Sequence, residues 1–130
     1  MTRRIIVTGS RTWDNPNKLG YELGKAVGEL NRKYPGEDIV IVHGNAPGAD
    51  RIADKLARDH GVTVETHRAE WELQGKRAGM IRNMKMVSLG ADICLAFIKD
   101  GSRGATHCAE YAESVGIPVR RFTEVSNLGQ

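Results

Sequence analysis

Five short apolar runs recur along the chain, and between them the apolar residues change to a helical period. The runs are Ile5-Ile6-Val7, Ile39-Val40-Ile41-Val42, Val62-Thr63-Val64, Ile93-Cys94-Leu95-Ala96-Phe97 and Val119 to Phe122. They are short, mostly β-branched and barely alternating, the pattern of strands covered on both faces. Between the first two, Leu19, Leu23, Ala26, Val27, Leu30 and Tyr34 make one helical stripe. Ile52, Ala53, Leu56 and Ala57 make a second, Met80, Ile81, Met84 and Val87 a third, and Ala105, Cys108, Ala109 and Ala112 a fourth. Glycines at 61, 90 and 116 close the last three. Strands alternating with helices of this length predict parallel βαβ units, whose crossovers are right-handed. The expected architecture is an α/β, Rossmann-like open parallel sheet of five strands, order 3-2-1-4-5, with helices on both faces.

The rest of the composition narrows the class. One hundred and thirty residues suit one domain; the pattern assigns residues 1–122 to it and leaves 123–130 as a loose C-terminal tail. Lys and Arg number 19 against 16 Asp and Glu, a net charge of +3, which is a mild lean toward anionic partners and no basic stripe. No apolar run approaches the ~18 residues of a membrane span. The first strand begins at once after Met1-Thr2-Arg3-Arg4, which leaves no room for a signal peptide. Cys94 and Cys108 lack metal-ligand or redox spacing and read as reduced core residues. The expectation is a cytoplasmic domain with no membrane contact, no metal and no cofactor.

In open α/β sheets ligands bind beyond the carboxyl ends of the strands, at the switch point. Three turns there are rich in glycine and small polar residues: Thr8-Gly9-Ser10-Arg11, Gly44-Asn45-Ala46-Pro47-Gly48-Ala49-Asp50, and Gly101-Ser102-Arg103-Gly104-Ala105-Thr106. They follow strands 1, 2 and 4, which the expected order makes neighbours. Glycine lets backbone amides approach a ligand, and the helix starts beyond add free N–H groups and a positive dipole end. Arg11 and Arg103 can make bidentate contacts to phosphate. The competing reading is that these glycines simply make tight turns. None of the turns is a Gly-x-x-x-x-Gly-Lys-Ser/Thr loop or a Gly-x-Gly-x-x-Gly turn, which argues against a standard ATPase or dehydrogenase. Pro47-Gly48 fits positions i+1 and i+2 of a type II turn.

With Ile81-Arg82-Asn83-Met84-Lys85-Met86 added, these segments together resemble the YspA-type, cpYpsA-related branch of the SLOG superfamily, named for the Smf/DprA proteins and the LOG cytokinin-activating enzymes. The likeness runs in order from Arg4 to about Phe122. It implies a Rossmann-like fold that binds a nucleotide or nucleotide-derived ligand, a nucleoside phosphate or an ADP-ribose-like molecule, in a sensing or regulatory role. For this branch it implies no established reaction. The residues that match the family's motifs are Gly9, Ser10 and Arg11 in the first turn, Gly44, Gly48 and Asp50 in the second, and Ser102, Arg103, Gly104 and Thr106 in the fourth; with Asn83 they form the expected phosphate and ligand site. Asp50 is equally a helix cap or a ribose ligand.

Two other readings compete. LOG enzymes carry an Arg-Lys pair on the third helix and a catalytic glutamate in Pro-Gly-Gly-x-Gly-Thr-x-x-Glu. Here Arg82 matches the arginine, but Asn83 replaces lysine, Ser102-Arg103 replaces Gly-Gly, and the glutamate position holds Ala109 with Glu110 one step on. A nucleoside monophosphate phosphoribohydrolase would therefore rest on Arg82 and Glu110. A likeness to DprA would suggest single-stranded DNA, against which the low net charge counts. Trp13 can stack on a base or pack on the first helix, Trp71 reads as a lid or interface residue, and His43 as a structural histidine. His107 lies near the fourth helix start. Methionines on the third helix make a homodimer an open expectation.

Overall fold

The computed structural model describes residues 1–126. Its elements are β1 (Thr2–Gly9), α1 (Pro16–Lys33), β2 (Asp38–His43), α2 (Ala49–Asp59), β3 (Thr63–Thr66), α3 (Trp71–Gln74), α4 (Ala78–Ser88), β4 (Ile93–Lys99), α5 (Arg103–Ser114) and β5 (Val119–Glu124). The five strands form one sheet in the order β3-β2-β1-β4-β5, and every pair is parallel. The Rossmann-like architecture expected from the periodicity is the one observed.

Alternation along the strands divides the core between two faces. Ile5, Val7, Ile41, Leu95 and Phe97 pack with Leu19, Leu23 and Ala26 of α1 and Ala49, Ala53 and Ala57 of α2. Ile6, Val42 and Cys94 turn to the other face, against Met86 and Val87 of α4 and Cys108 and Ala112 of α5. β4 is the most deeply covered strand, with all of Ile93 to Ile98 buried, because helices cover both its faces and β1 and β5 both its edges. Both cysteines are free and buried, as expected for core thiols, and burial pushes Cys108 up to about 11.

Three local expectations change. Trp71–Gln74 form a short helix and Gly75–Arg77 a 3-10 turn ahead of α4, where the sequence shows only a polar stretch too short for periodicity to register. β5 runs to Glu124, Asp100 N donates to Glu124 O, and Ser126 N donates to Asp100 Oδ1 at 2.7 Å. Residues 123–126 are thus tied to the sheet edge by backbone pairing that needs no apolar side chains; the remainder of the expected tail lies outside the described residues. On α4, Met86 is core, whereas Met80, Ile81 and Met84 are exposed. Among the described residues no helix is long and apolar enough to cross a membrane.

Candidate functional site

The turns after β1, β2 and β4 meet at the carboxyl ends of adjacent strands and open into a crevice of about 720 Å³. Thr8, Gly9, Ser10 and Arg11 line it from the first turn, Ala46 and Asp50 from the second, and Lys99, Asp100, Ser102 to Ala105 and His107 from the turn after β4. Arg82, Asn83 and Met80 enter from α4, and Trp71 from α3. Of the site residues expected from sequence, Gly9, Ser10, Arg11, Asp50, Arg82, Asn83, Ser102, Arg103 and Gly104 come together here. Gly44 lies in an adjoining side chamber, and Gly48 faces a separate groove beside Arg51 and Ile52.

The glycines do different work from one another. A Cβ on Gly48, whose φ is +81°, would lie 2.3 Å from Ser10 O, and one on Gly9 would lie 2.3 Å from the Ala49 side chain. Both let the β1 turn and the start of α2 touch, so their missing side chains are filled by protein. The ψ of Gly48 is −126°, not the value near zero of a type II turn, because the residue swings the chain against Ser10 as it enters α2. Gly44 gives up its side chain to the Arg82 guanidinium. Around Gly104 a Cβ would meet nothing within 4 Å; that glycine opens onto space.

Helix starts differ in the same way. Asn15 Oδ1 accepts from Lys18 N to cap α1, and Ala49 N at the start of α2 donates to Ser10 O. At α5, Ser102 stands at the cap position without a side-chain bond. Thr106 N donates to Ser102 O, so the amides of Arg103, Gly104 and Ala105 precede the first intrahelical bond and carry no partner there. At α5 all of the first three amides are left open, whereas at α2 the first is taken by Ser10 O.

Several side chains are already spoken for. Ser10 is buried, and its hydroxyl accepts from Lys99 N at 2.7 Å while donating to Lys99 O; it clamps β1 to β4. Thr106 Oγ1 donates to Ser102 O and does not line the crevice. Trp13 is 2% exposed, its ring edge-on to Phe97 at 5.3 Å and its indole N–H on Asn15 O. It is a core residue and has no face left for a base. Trp71, half exposed with Arg11 5.8 Å above its ring, is the aromatic that walls the crevice. Glu110 is exposed, does not line the crevice, and lies instead in the field of Arg121 on β5. The ~100° turn per residue carries it off the face that Ala109 holds, so Glu110 stands apart from the crevice.

Asp50 and Arg82 remain as the polar centre. Asp50 Oδ2 accepts from Gly44 N at 3.0 Å and Ala46 N at 3.3 Å, which shapes the β2 turn. Its Oδ1 is buried without a partner. Burial pushes the Asp50 carboxyl above the ordinary range, against the pull of the Ala46 amide, His43 and Arg82. Arg82 gives Nη1 to Gly44 O and Nε to Asn83 Oδ1, and among the described residues Nη2 keeps no protein acceptor. Burial likewise lowers Arg82 from its usual value. A buried acceptor without a partner thus stands in the same crevice as a part-exposed guanidinium, and the unfilled carboxylate oxygen costs stability unless something pairs with it. His43 stands behind: Nδ1 accepts from Asn45 N, which places its proton on Nε2, facing Asp54 Oδ1 at 2.8 Å.

Sequence reasoning missed Trp71 as the aromatic wall and Lys99 as the residue clamped by Ser10. A tryptophan flanked by Arg68 and Lys76 was the available signal for the first; the second depends on a contact across 89 residues of chain.

Comparison with known proteins agrees with this architecture. The profile of a family described as "YspA, cpYpsA-related SLOG family" matches residues 3–73. A protein of Mycobacterium phage D29 named "Gene 61 protein" is 47% identical over 125 residues, covering 92% of this chain and 96% of that one. The X-ray structure of TM1055, a structural-genomics target, superposes with a TM-score of 0.60 over 90% of this chain and 72% of that chain. At 17% identity that likeness speaks for the fold.

Proposed function

Since the chain belongs to the YspA, cpYpsA-related SLOG family, we propose that it binds a nucleotide-derived ligand, a nucleoside phosphate or an ADP-ribose-like molecule, in the crevice at the carboxyl ends of β1, β2 and β4. The observation that carries this reading is Asp50, 5% exposed with Oδ1 unpartnered beside the unfilled Nη2 of Arg82. A ribose hydroxyl donating to Asp50 Oδ1 and accepting from Arg82 satisfies both groups at once. The open amides of α5 and the exposed Arg103 then receive phosphate, and Trp71 and Met80 offer an apolar wall to a base. The crevice lies within the roughly 300–1,000 Å³ of small-molecule sites. Its arginines surround a concavity rather than forming a stripe, which favours a small ligand over a DNA strand.

Binding and sensing are favoured over phosphoribohydrolysis because Glu110 is outside the crevice and Asp100, the other carboxylate lining it, is held by Ser126. The test is calorimetric titration with nucleoside mono- and diphosphates and ADP-ribose. Wild-type protein binds at least one of them, and Asp50→Asn, which keeps an acceptor for the Gly44 amide but loses the carboxylate, binds it at least tenfold more weakly. No heat from any member of the panel contradicts the reading. Free base released from nucleoside monophosphates by the wild type but not by Asp50→Asn would convert the site into an enzyme with Asp50 as its carboxylate.

A further inference from the structure

A side chamber of about 280 Å³ adjoins the crevice on its β2 side. The two spaces share Arg11, Ala46, Trp71 and Arg82 as their common wall. Arg51 and Arg68 complete the side chamber, so four guanidinium groups line it and no carboxylate does. Among the described residues, none of these four arginines is in an ion pair. Four unpaired cations around one small concavity repel one another and concentrate a positive potential there. An apolar wall of Pro47, Ala69 and the Trp71 ring screens them less than open water does.

We infer that this chamber is a second anion subsite, and that the ligand carries two separated anionic groups, one on the α5 amides and one among Arg11, Arg51 and Arg68. This rests on the nucleotide reading of the main crevice and extends it. The strand order supplies the geometry. The α5 start follows β4, Asp50 and Ser10 lie over β1 and its junction with β2, and the arginine chamber lies over the turns after β2 and β3. Across the sheet the chain thus presents an anion site, a hydroxyl acceptor, and a second anion site, in that sequence. A nucleotide phosphorylated at both its 5′ position and a ribose hydroxyl has the same order of groups, whereas a monophosphate leaves the arginines unfilled. Guanidinium suits this task because its fork makes paired hydrogen bonds to phosphate oxygens.

The experiment compares AMP, adenosine 2′,5′-bisphosphate and adenosine 3′,5′-bisphosphate by titration calorimetry on the full chain. The expected result is at least a tenfold tighter affinity for one bisphosphate than for AMP. In the Arg51→Ala, Arg68→Ala double variant that ratio collapses toward one. Both arginines are exposed, and a wild-type melting curve for the variant establishes that it is folded. Equal affinities for all three nucleotides in the wild type overturn the second subsite while leaving the nucleotide reading standing. A bisphosphate preference that survives in the double variant also overturns it, because the second phosphate then lies elsewhere. Failure of all three to bind, with ADP-ribose silent too, removes the nucleotide reading and this extension together.

Discussion

The two ends of the sheet treat their arginines in opposite ways. Toward the amino ends of the strands, Arg3 reaches both Glu37 and Asp92 and lies 3.4 Å over the Tyr34 ring. Arg4 spans from β1 across β2 to Glu65 on β3 with two bonds of 2.6 and 2.8 Å, and gives its Nε to Gly90 O. At the carboxyl ends, among the described residues, Arg11 and Arg103 have no carboxylate partner, and Arg82 meets only a carbonyl and an amide side chain. The first end pairs its arginines with carboxylates and serves the fold; among the described residues, only Arg3 Nε is buried there without a partner. The second leaves its arginines without carboxylate partners among the described residues, which concentrates positive potential there.

That contrast can be broken most severely at Gly48. It sits at the carboxyl end yet serves the fold, so Gly48→Ala combines a positive φ with overlap on Ser10 O and is expected to cost about 3 kcal/mol, summing a strained backbone and an overpacked contact. Urea denaturation reads this, and the loss must occur without any ligand. A paired test comes next: Arg4→Ala leaves Gly90 O without its donor and Glu65 with His67 alone, and should cost about 2 kcal/mol, whereas Arg103→Ala should stay within about 0.5 kcal/mol of wild type. Arg103→Ala should instead weaken nucleotide binding severalfold. Equal stability losses in the two variants would erase the contrast.

Smaller effects sharpen it further. Gly104 is in α5, exposed, with open space where a Cβ would lie. Gly104→Ala is therefore expected to raise stability by about 0.5–1 kcal/mol through helix propensity, and to lower affinity because the new methyl stands over the amides. The smallest effect is one of pH. Hydrogen bonds from Arg4 hold Glu65 at about 2, below its usual 4.5. A depressed carboxyl stabilises the fold above its unfolded pKa and loses that contribution as the pH falls through the folded one. Stability should thus decline from pH 4.5 toward 2, and Glu65→Gln should flatten that part of the acid profile, as followed by circular dichroism.

Sheet order was legible because it follows from strand and helix periods and the handedness of crossovers; four strands contain their expected apolar run, and β3 begins at Thr63, one residue inside its own. Turn positions were legible for the same reason. What the turns do was less so. Gly9, Gly48 and Gly104 look alike in sequence, but two are filled by Ala49 and Ser10 and one is open, a distinction set by which helix docks where. Ser10 reads as a phosphate-binding serine until β4 is placed beside it and Lys99 takes its hydroxyl. Of the two roles open to Trp13 the structure shows packing, which the sequence could not decide because nothing local says that Phe97, 84 residues away, meets its ring edge-on. Asp50 carried both meanings at once: one oxygen holds the β2 turn, and the other is left over.

Amide chemical-shift mapping on adding a nucleoside monophosphate tests the central claim most directly, since it reads location as well as binding. The account predicts shifts confined to the turns after β1, β2 and β4, the first turn of α5 and the Trp71 indole, with Trp13 and the Arg3–Glu37–Asp92 end unmoved. Shifts centred on the basic end of α1 at Arg32 and Lys33, or none at saturating nucleotide, would contradict it.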